Sequence, residues 1–412
     1  LNLVNFDLLI NGVGRINLSD SQKVVILPSK EQVTLKKGRD FKCGGRVFAG
    51  NFEFIGKDYY FSYDSFTLGL NQVDSARISV EDMESPKDIY GNRTQKKIKN
   101  VVEGIRGTLK IDAPNNKSGI LVEDYPEYPI LTSETDSYVY YDNQDIQGGV
   151  YNRDDFYYQI QPFMIDSLDN FQTSTMKFDG TLVSNIFPDI DEPLVIMDDF
   201  SLGLDKKTSS SGLPVYGGRG DFNDAIKLSY DGLQGSGELE FLTSLSSSDK
   251  FTFFPDSTKG VTTSFINNET LSGADTPKTR AFEVNLAYFP LEQRLEATVL
   301  DEPIVFFEEE ASLVDGSLTL QTNGMIGQGQ MNFSGADLFS RVFKYGRRKI
   351  IADSSALKLQ AKDTGGIAFR TDNVSAEIDF DERLGEFNSN DNETKLELPA
   401  NQYICYMDKF KW

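Results

Sequence analysis

Carboxylates are the side chains of this sequence that could do chemistry, and they gather at three places. The groups are Asp189 with Asp191 and Glu192, Asp198 with Asp199, and Glu308 with Glu309 and Glu310. Two carboxyl groups held about 5 to 9 Å apart can hydrolyse a glycosidic bond, and carboxylate oxygens also bind Ca²⁺. No group has the spacing of an EF-hand loop. We therefore interpret them as solvated acidic surface, and we predict no catalytic residue, no cofactor and no metal site.

Histidine does not occur in the 412 residues of the sequence. This excludes the Ser-His-Asp triad, the Cys-His pair, a histidine general base and every zinc or iron site that uses histidine. The two cysteines, Cys43 and Cys405, therefore have no histidine that could activate them. We interpret them as buried thiols, and a long-range disulfide between them is the alternative in an oxidising compartment.

The charge balance is strongly acidic, with 41 Lys and Arg against 63 Asp and Glu and a formal net charge of −22. Nucleic-acid binding depends on Lys and Arg that neutralise phosphates, so we predict no nucleic-acid partner. No apolar run approaches the roughly 20 residues that a membrane-spanning helix needs. We therefore expect no transmembrane segment in this chain.

The elements that must position these side chains show a period of two almost everywhere. Val374, Ala376, Ile378 and Phe380, for example, alternate with polar residues. This pattern is typical of a strand with one solvent-exposed face. A single short helix of about two turns is expected at residues 336–343. The prediction is an all-β fold with little helix.

Two internal repeats combine strands with glycine turns. Residues 226–241 match residues 318–333 at an offset of 92, and residues 66–70 match residues 200–204 at an offset of 134. The glycines resemble a dinucleotide-binding loop only superficially, because a strand follows them where that loop requires a helix. We predict an elongated stack of antiparallel, solenoid-like β modules with glycine turns. Independent sandwiches joined by linkers are the alternative.

Four modules are expected along the chain. Their bounds are 1–100, 101–170, 171–305 and 306–412. The second module contains residues 138–158, which are rich in Tyr, Asp and Asn. We expect this segment to form exposed loops with aromatic anchors.

An Asp-Ser pair followed by a small or aliphatic residue or Thr occurs three times. The copies are Asp74-Ser75-Ala76, Asp166-Ser167-Leu168 and Asp256-Ser257-Thr258. The pattern resembles the O-glycosylation signal of exported Bacteroidota proteins. This resemblance implies glycans on Ser75, Ser167 and Ser257, which we expect on exposed turns.

Several longer sequence segments resemble those of a group of very large, uncharacterised cell-envelope proteins of Bacteroidota. They are SDSQ at 19–22, KKGRDF at 36–41, AGNFEF at 49–54, PNNKSG at 114–119 and NQYICYMD at 401–408. The resemblance implies an exported protein in the periplasm or at the cell surface, associated with the outer membrane. It also implies that the 412 residues are a segment of a longer chain.

The repeated succession of strands and glycine turns also resembles, more weakly, the β-groove lipid-transport proteins of the AsmA and TamB type. This chain departs from them because its charge is evenly distributed, without a long apolar stripe. The expected function is a non-catalytic structural or interaction scaffold, not an enzyme, with protein partners in an outer-membrane secretion or uptake complex. A lipid-transport groove is the first alternative, and a glycan-binding or glycan-active protein that uses its carboxylates is the second.

Overall fold

The computed structural model describes residues 6–91, 93–117, 119, 121–122, 125–171, 173–209, 211–269, 275–361, 366–391 and 393–412. It is 58% strand and 4% helical, and no helix in it reaches seven residues. The all-β prediction, with antiparallel sheets and little helix, is confirmed. In the described ranges, no helix has both the length and the apolar character needed to cross a membrane.

The first eighteen strands lie between residues 8 and 207. They are β1 Leu8–Asn11, β2 Ile16–Ser19, β3 Val24–Pro28, β4 Gln32–Leu35, β5 Phe41–Ala49, β6 Phe52–Ser62, β7 Thr67–Glu81, β8 Gln95–Lys97, β9 Gly107–Lys110, β10 Ile130–Ser133, β11 Ser137–Tyr140, β12 Tyr157–Ile160, β13 Phe163–Ile165, β14 Lys177–Phe178, β15 Gly180–Val183, β16 Ile190–Asp191, β17 Leu194–Ile196 and β18 Leu202–Lys207.

The remaining strands follow between residues 213 and 411. They are β19 Leu213–Val215, β20 Gly220–Ser229, β21 Gly232–Phe241, β22 Ser244–Phe253, β23 Thr258–Val261, β24 Ser264–Asn267, β25 Thr279–Ala281, β26 Val284–Phe289, β27 Arg294–Val299, β28 Ile304–Phe306, β29 Ala311–Gln321, β30 Gly324–Phe333, β31 Ala336–Tyr345, β32 Lys349–Gln360, β33 Ile367–Asp379, β34 Leu384–Ser389, β35 Thr394–Leu398, β36 Tyr403–Met407 and β37 Lys409–Lys411. Short 3-10 helices occur at Ser29–Glu31, Lys37–Arg39, Thr173–Thr175, Phe307–Glu309 and Pro399–Asn401.

The chain divides into two compact units. The first contains Leu1–Asn185, Asp189–Lys206 and Lys227–Gly232, and the second contains Ile186–Pro188, Lys207–Ile226 and Leu233–Trp412. The division into four modules stays a prediction.

In the first unit, the main sheet has the strand order β1-β4-β5-β6-β7-β9-β10-β13, and a second sheet has the order β11-β12-β15-β16. The period of two places one side of each strand in a core, because successive side chains point to opposite faces of a sheet. Phe54, Tyr59, Leu68 and Leu109 are fully buried on the inner side of the main sheet.

In the second unit, the strands from β21 to β37 pair antiparallel, mostly with the next strand along the chain. The five consecutive strands β29 to β33 have 10 to 13 residues each. Aromatic side chains fill the core. Phe253 lies edge-on to both Phe187 and Phe222, with ring centroids 4.9 and 5.0 Å apart.

The helix expected at residues 336–343 is wrong, because this segment forms β31. A bulge shifts its pairing with β30 between Gly327 and Gly329. Ala336 and Leu338 are buried before the bulge, and Phe343 and Tyr345 after it. The extra residue breaks the alternation, and the resulting spacing of apolar residues imitates one face of a helix.

The repeat at an offset of 92 comprises the end of β20 with β21 in the first copy, and the end of β29 with β30 in the second. The similarity extends into the strand that follows each copy. β21 pairs with β22, and β30 pairs with β31, in registers that correspond residue for residue. The bulge recurs as well, between Gly235 and Gly237 in the first copy. At the repeat with an offset of 134, Phe66 and Phe200 both have a left-handed φ, of 53° and 63°, just before a strand.

A third repeat, which no sequence pattern indicated, occurs three times in the described ranges. We call it the hook, and its copies are residues 18–49, 288–321 and 378–412. Each begins with a hairpin whose four-residue turn is closed by Ser19 with Val24, Phe289 with Arg294, or Asp379 with Leu384. The last residue of each turn has a left-handed φ, of 55° at Lys23, 49° at Gln293 and 53° at Arg383.

The second half of each hook is a strand, a 3-10 helix and a return strand. The 3-10 helices are Lys37–Arg39, Phe307–Glu309 and Pro399–Asn401. The return strand then pairs backwards, through Leu35 with Phe41, Phe306 with Ala311, and Leu398 with Tyr403. The return strands are β5, β29 and the pair β36–β37.

Candidate functional site

Three half-exposed tyrosines lie together on the outer face of the sheet that contains β11 and β12. Tyr140 is directly opposite Tyr157 in the antiparallel register, and Tyr138 precedes Tyr140 by two positions on the same face. The ring centroid of Tyr138 is 6.0 Å from that of Tyr140 and 5.9 Å from that of Tyr157. We call Tyr138, Tyr140 and Tyr157 the tyrosine surface.

Arg153 fixes one side of the tyrosine surface. Its guanidinium lies 4.3 Å from the ring centroid of Tyr140, as in a cation–π contact. Its Nε donates to Asp142 at 2.7 Å, and a second nitrogen lies 3.5 Å from a carboxylate oxygen of Glu103. The hydrogen bond to Asp142 raises the pKa of Arg153 above its ordinary value. The guanidinium is thus a permanent charge held over an aromatic ring.

The pKa of the Tyr140 phenol lies above its ordinary value, so the phenol stays protonated. Burial raises its pKa, and the negative charge of Glu103 raises it further. Glu103 is positioned by backbone hydrogen bonds of 2.8 and 2.9 Å that it exchanges with Tyr138. The tyrosine surface therefore offers apolar ring area and the neutral hydroxyl group of Tyr140 beside one cation. Tyrosine and arginine in this combination are typical of the energetic centres of protein interfaces.

Asp199, one of the carboxylates singled out in the sequence, is held by several hydrogen bonds. Burial would raise its pKa, but hydrogen bonds from the hydroxyl and backbone N–H of Ser201 and the charge of Lys99 lower it overall. The Ser201 hydroxyl donates at 2.5 Å and the Tyr230 N–H at 3.2 Å. Asp199 thus ties β18 to the turn after β20, within the first unit, as a structural group.

Five of the other carboxylates lie beside a cation or a hydroxyl group of their own unit. Asp191 accepts a hydrogen bond from the Thr181 hydroxyl at 2.6 Å, and Glu192 lies 3.6 Å from the Lys206 ammonium. In the second unit, Glu308 is 4.0 Å from Lys278, Glu309 pairs with Arg280, and Glu310 lies 2.9 Å from Arg348. Within the described ranges, no three Cys, Asp or Glu side chains gather as they would around a metal ion.

The serines of the Asp-Ser pattern lie in three different settings, and the expected exposed turns are wrong for two of them. Ser75 is half-buried inside β7, opposite Ile55 of β6. Ser257 is buried, and its hydroxyl donates to Asp256 at 2.9 Å. Ser167 does lie in a turn, where its half-buried hydroxyl donates to the Pro126 carbonyl at 2.7 Å. Their glycosylation stays a prediction.

The two cysteines occupy the same position of the hook. Cys43 and Cys405 are each the third residue of a return strand, counted from Phe41 and from Tyr403, and Leu313 holds that position in the second copy. Both are free thiols in the structure, with Cys43 buried and Cys405 half-buried. Burial raises the pKa of Cys43 to about 12. The shared position indicates an apolar role, and the disulfide stays a prediction.

The sequence predicted only part of the tyrosine surface. The tyrosine-rich segment 138–158 indicated aromatic anchors, and the structure places Tyr141, Tyr151, Phe156 and Tyr158 of this segment in the core. Glu103 was not foreseen, because it is distant in sequence and reaches the surface through a single bridge to Tyr138. The alternation Tyr138-Val139-Tyr140 was the signal that could have separated outward from inward rings.

Comparison with known proteins yields no relative of this chain: no family model, curated protein or solved structure matches it.

Proposed function

We propose that this chain is a non-catalytic interaction scaffold of an exported cell-envelope protein, which binds protein partners in an outer-membrane assembly. The observation that carries the proposal is the tyrosine surface with its stacked Arg153. Its rings are half-exposed on a sheet face, and a sheet face is a rigid support for an interface. The envelope location rests on the sequence phrases that resemble Bacteroidota envelope proteins.

The pKa shifts of two charged residues, and the burial of the large aromatic residues, also support a scaffold. The lowered pKa of Asp199 and the raised pKa of Arg153 both have causes in hydrogen bonds within the first unit. Such shifts are typical of groups that hold strands and loops together. The large aromatic residues that a lipid groove would display, such as Phe54, Phe251 and Phe265, are fully buried in the two cores. This favours a scaffold over a lipid-transport groove.

The test is affinity purification of the endogenous protein in mild detergent, followed by mass spectrometry of the protein and lipid fractions. The wild-type chain is compared with a Tyr138→Ala, Tyr157→Ala double variant. We expect stoichiometric outer-membrane proteins with the wild type and at least about a tenfold loss with the double variant, since interface tyrosines are frequent hot spots.

The matched control is Tyr90→Ala, which removes an exposed tyrosine outside the tyrosine surface. It should retain all partners, and circular dichroism should show the same strand content for all three proteins. Phospholipid recovered without protein partners would contradict the scaffold in favour of the groove. Hydrolysis of an envelope polysaccharide by the purified chain would contradict it in favour of carboxylate chemistry.

A further inference from the structure

A groove in the first unit lies where the strands of the first hook separate. β4 pairs with β5 up to Lys42, and β3 pairs with β5 from Gly45 onwards. Between these two stretches the chain turns away from β5 through the 3-10 helix Ser29–Glu31. A bulge in the pairing of β5 with β6 lies at the same level, between Cys43 and Gly45. The resulting groove has a volume of about 920 Å³.

The charge of this groove is opposite to that of the whole chain. Its cations are Lys30, Lys42, Arg46 and Lys57, and its carboxylates are Asp58 and Asp74. The chain as a whole has 41 Lys and Arg against 63 Asp and Glu. We call this site the basic groove. An excess of cations in a concave site raises the local concentration of anions.

Two of the four cations are already engaged by carboxylates. Arg46 donates two hydrogen bonds to one carboxylate oxygen of Glu53, the first from Nε at 2.7 Å. The Lys57 ammonium lies 3.5 Å from a carboxylate oxygen of Asp74. The planar fork of Arg46, which would suit a carboxylate ligand, is therefore occupied within the protein.

Lys30 and Lys42 are the cations that remain available. Both are exposed, and in the described part of the chain neither ammonium pairs with a carboxylate. The Lys42 ammonium lies 5.8 Å from the ring centroid of Tyr60. Lys30 has a left-handed φ of 53°, at the turn between β3 and β4. Each ammonium can donate three hydrogen bonds to an oxyanion.

The second unit shows that the fold does not require these cations. Its pairing of β29 with β30 has a bulge between Leu313 and Asp315, which are equivalent to Cys43 and Gly45 in the hook. A groove of about 690 Å³ lies there too. Its lining contains one cation, Arg341, and one carboxylate, Asp315. The same bulge therefore forms with balanced charge, so the lysines of the basic groove are explained better by a ligand than by folding.

The remaining walls indicate the rest of the ligand. Half-exposed Leu27 and Ile55 supply apolar contact, and Gln32 and Thr34 supply neutral hydrogen-bonding groups. Lysine binds phosphate as a point charge, without the planar match that favours carboxylate. A long nucleic acid is disfavoured, because beyond a screening length of about 8 Å it meets the acidic surface of the chain.

We propose that the basic groove binds a phosphate group carried on a larger neutral body, and that Lys30 and Lys42 contact the phosphate oxygens. The body is a sugar or the remainder of a lipid head group, and the phosphate is common to both. This inference goes beyond the proposed function and does not rest on it, because the tyrosine surface belongs to a different sheet.

The first test is isothermal titration calorimetry of the purified 412-residue chain with inorganic pyrophosphate at about 0.05 M NaCl. We expect saturable binding with a Kd below about 1 mM. The affinity should fall at least about threefold at 0.5 M NaCl, because salt screens exposed charges. No saturation by about 10 mM pyrophosphate would overturn the proposal. Binding of citrate as tight as that of pyrophosphate would overturn the assignment to phosphate.

Two double variants separate the groove from the net charge. Lys30→Gln with Lys42→Gln should weaken pyrophosphate binding at least about tenfold, since both hydrogen bonds to the anion are charge-assisted. Lys110→Gln with Lys177→Gln removes two other exposed lysines of the first unit and should leave binding within about twofold. Equal losses in the two variants would contradict the groove. Circular dichroism and thermal unfolding should match the wild type for both, because all four lysines are exposed.

Two further probes distinguish the bodies that carry the phosphate. Competition of glucose 1-phosphate with pyrophosphate would support a phosphorylated sugar. Cosedimentation with phosphatidylglycerol vesicles but not with phosphatidylcholine vesicles, lost in the Lys30→Gln, Lys42→Gln variant, would support a lipid head group. Failure of both probes would overturn the assignment to a phosphate on a larger body. The Tyr138→Ala, Tyr157→Ala variant should bind pyrophosphate like the wild type, so the proposed function and this inference fail independently.

Discussion

Cys43 and Cys405 show how one position can be apolar in every copy of a repeat while its exposure differs. Cys43 lies opposite Tyr59 of β6 and is buried, whereas Cys405 of β36 is half-buried. Because the thiolate is the reactive form of cysteine, burial protects Cys43 twice, by blocking access and by raising its pKa to about 12. The two thiols should therefore differ in reactivity.

We expect Ellman's reagent at pH 8 to modify one thiol per native chain and two after unfolding in denaturant. Cys405→Ala should remove the native reaction, and Cys43→Ala should leave it unchanged. Two thiols that react only after reduction would instead establish the disulfide between Cys43 and Cys405.

Glu386 is a second residue whose pKa has a measurable effect, here on the stability of the strand pair that contains it. Hydrogen bonds from Lys409 and then Lys411 lower its pKa to about 2. The Lys409 ammonium lies 2.8 Å from the carboxylate, and these two residues lie on β37, which pairs with β34. A carboxylate with a lowered pKa stabilises the folded state above its ordinary pKa, and this contribution is lost as the pH falls through the folded value.

The amides of Lys409–Lys411 should therefore keep their hydrogen-exchange protection, relative to β34, at pH 5 and lose part of it between about pH 4 and 2. Glu386→Gln should lower their protection at pH 7 and remove this acid transition. Glu382→Gln, at an exposed position in the preceding turn, should change neither. Identical pH profiles for Glu386→Gln and the wild type would show that this ion pair contributes nothing.

At the scale of the element, the bulged hairpin places a strict requirement on residue type, because one position in each copy accepts only glycine. Gly237 and Gly329 have φ values of 149° and 121°, and a Cβ atom at either would lie 2.0 Å from a backbone carbonyl oxygen, of Asn223 or Asp315. A side chain at such a position requires the backbone itself to shift. The glycines therefore determine the bulge, and the bulge determines which residues of β31 face the core.

We expect Gly329→Ala to lower the free energy of unfolding of the second unit by at least about 2 kcal/mol, through backbone strain and overpacking. Urea denaturation followed by tyrosine and tryptophan fluorescence measures the change. Gly346→Ala is the matched control, because the nearest atom to its Cβ is a Lys349 side-chain carbon at 3.5 Å. It should change the stability by less than about 0.5 kcal/mol. A small effect of Gly329→Ala would mean that the bulge adapts to a side chain.

At the scale of the whole molecule, the net charge of −22 dominates interactions at long range. Like charges repel the phosphate backbone, so association with nucleic acid has no electrostatic driving force. The half-exposed rings of the tyrosine surface offer apolar contact at short range, which does not depend on the net charge.

We expect no mobility shift of a DNA or RNA duplex with about 10 µM chain at about 0.15 M salt, because non-specific binding needs basic groups. A mobility shift at that salt concentration would contradict this expectation.

The sequence alone was sufficient for the all-β class and for the strand, glycine turn and strand that repeat at an offset of 92. Both depend on local order: alternation reports that one face of a strand is buried, and shared glycines report a shared turn. The same reasoning failed at residues 336–343, where the bulge inserts an extra residue and the spacing of Leu338 and Phe343 no longer follows a period of two.

Tertiary structure decided which residues meet. The hooks share little sequence, and only their strand registers show that Cys43, Leu313 and Cys405 are equivalent. Glu103 reaches the tyrosine surface from far along the chain, and Phe41 and Ala311 are buried where the next strand pairs with their own. Register is set by pairing between distant segments and by the packing of their faces, so it is a property of the folded chain that no local window of sequence contains.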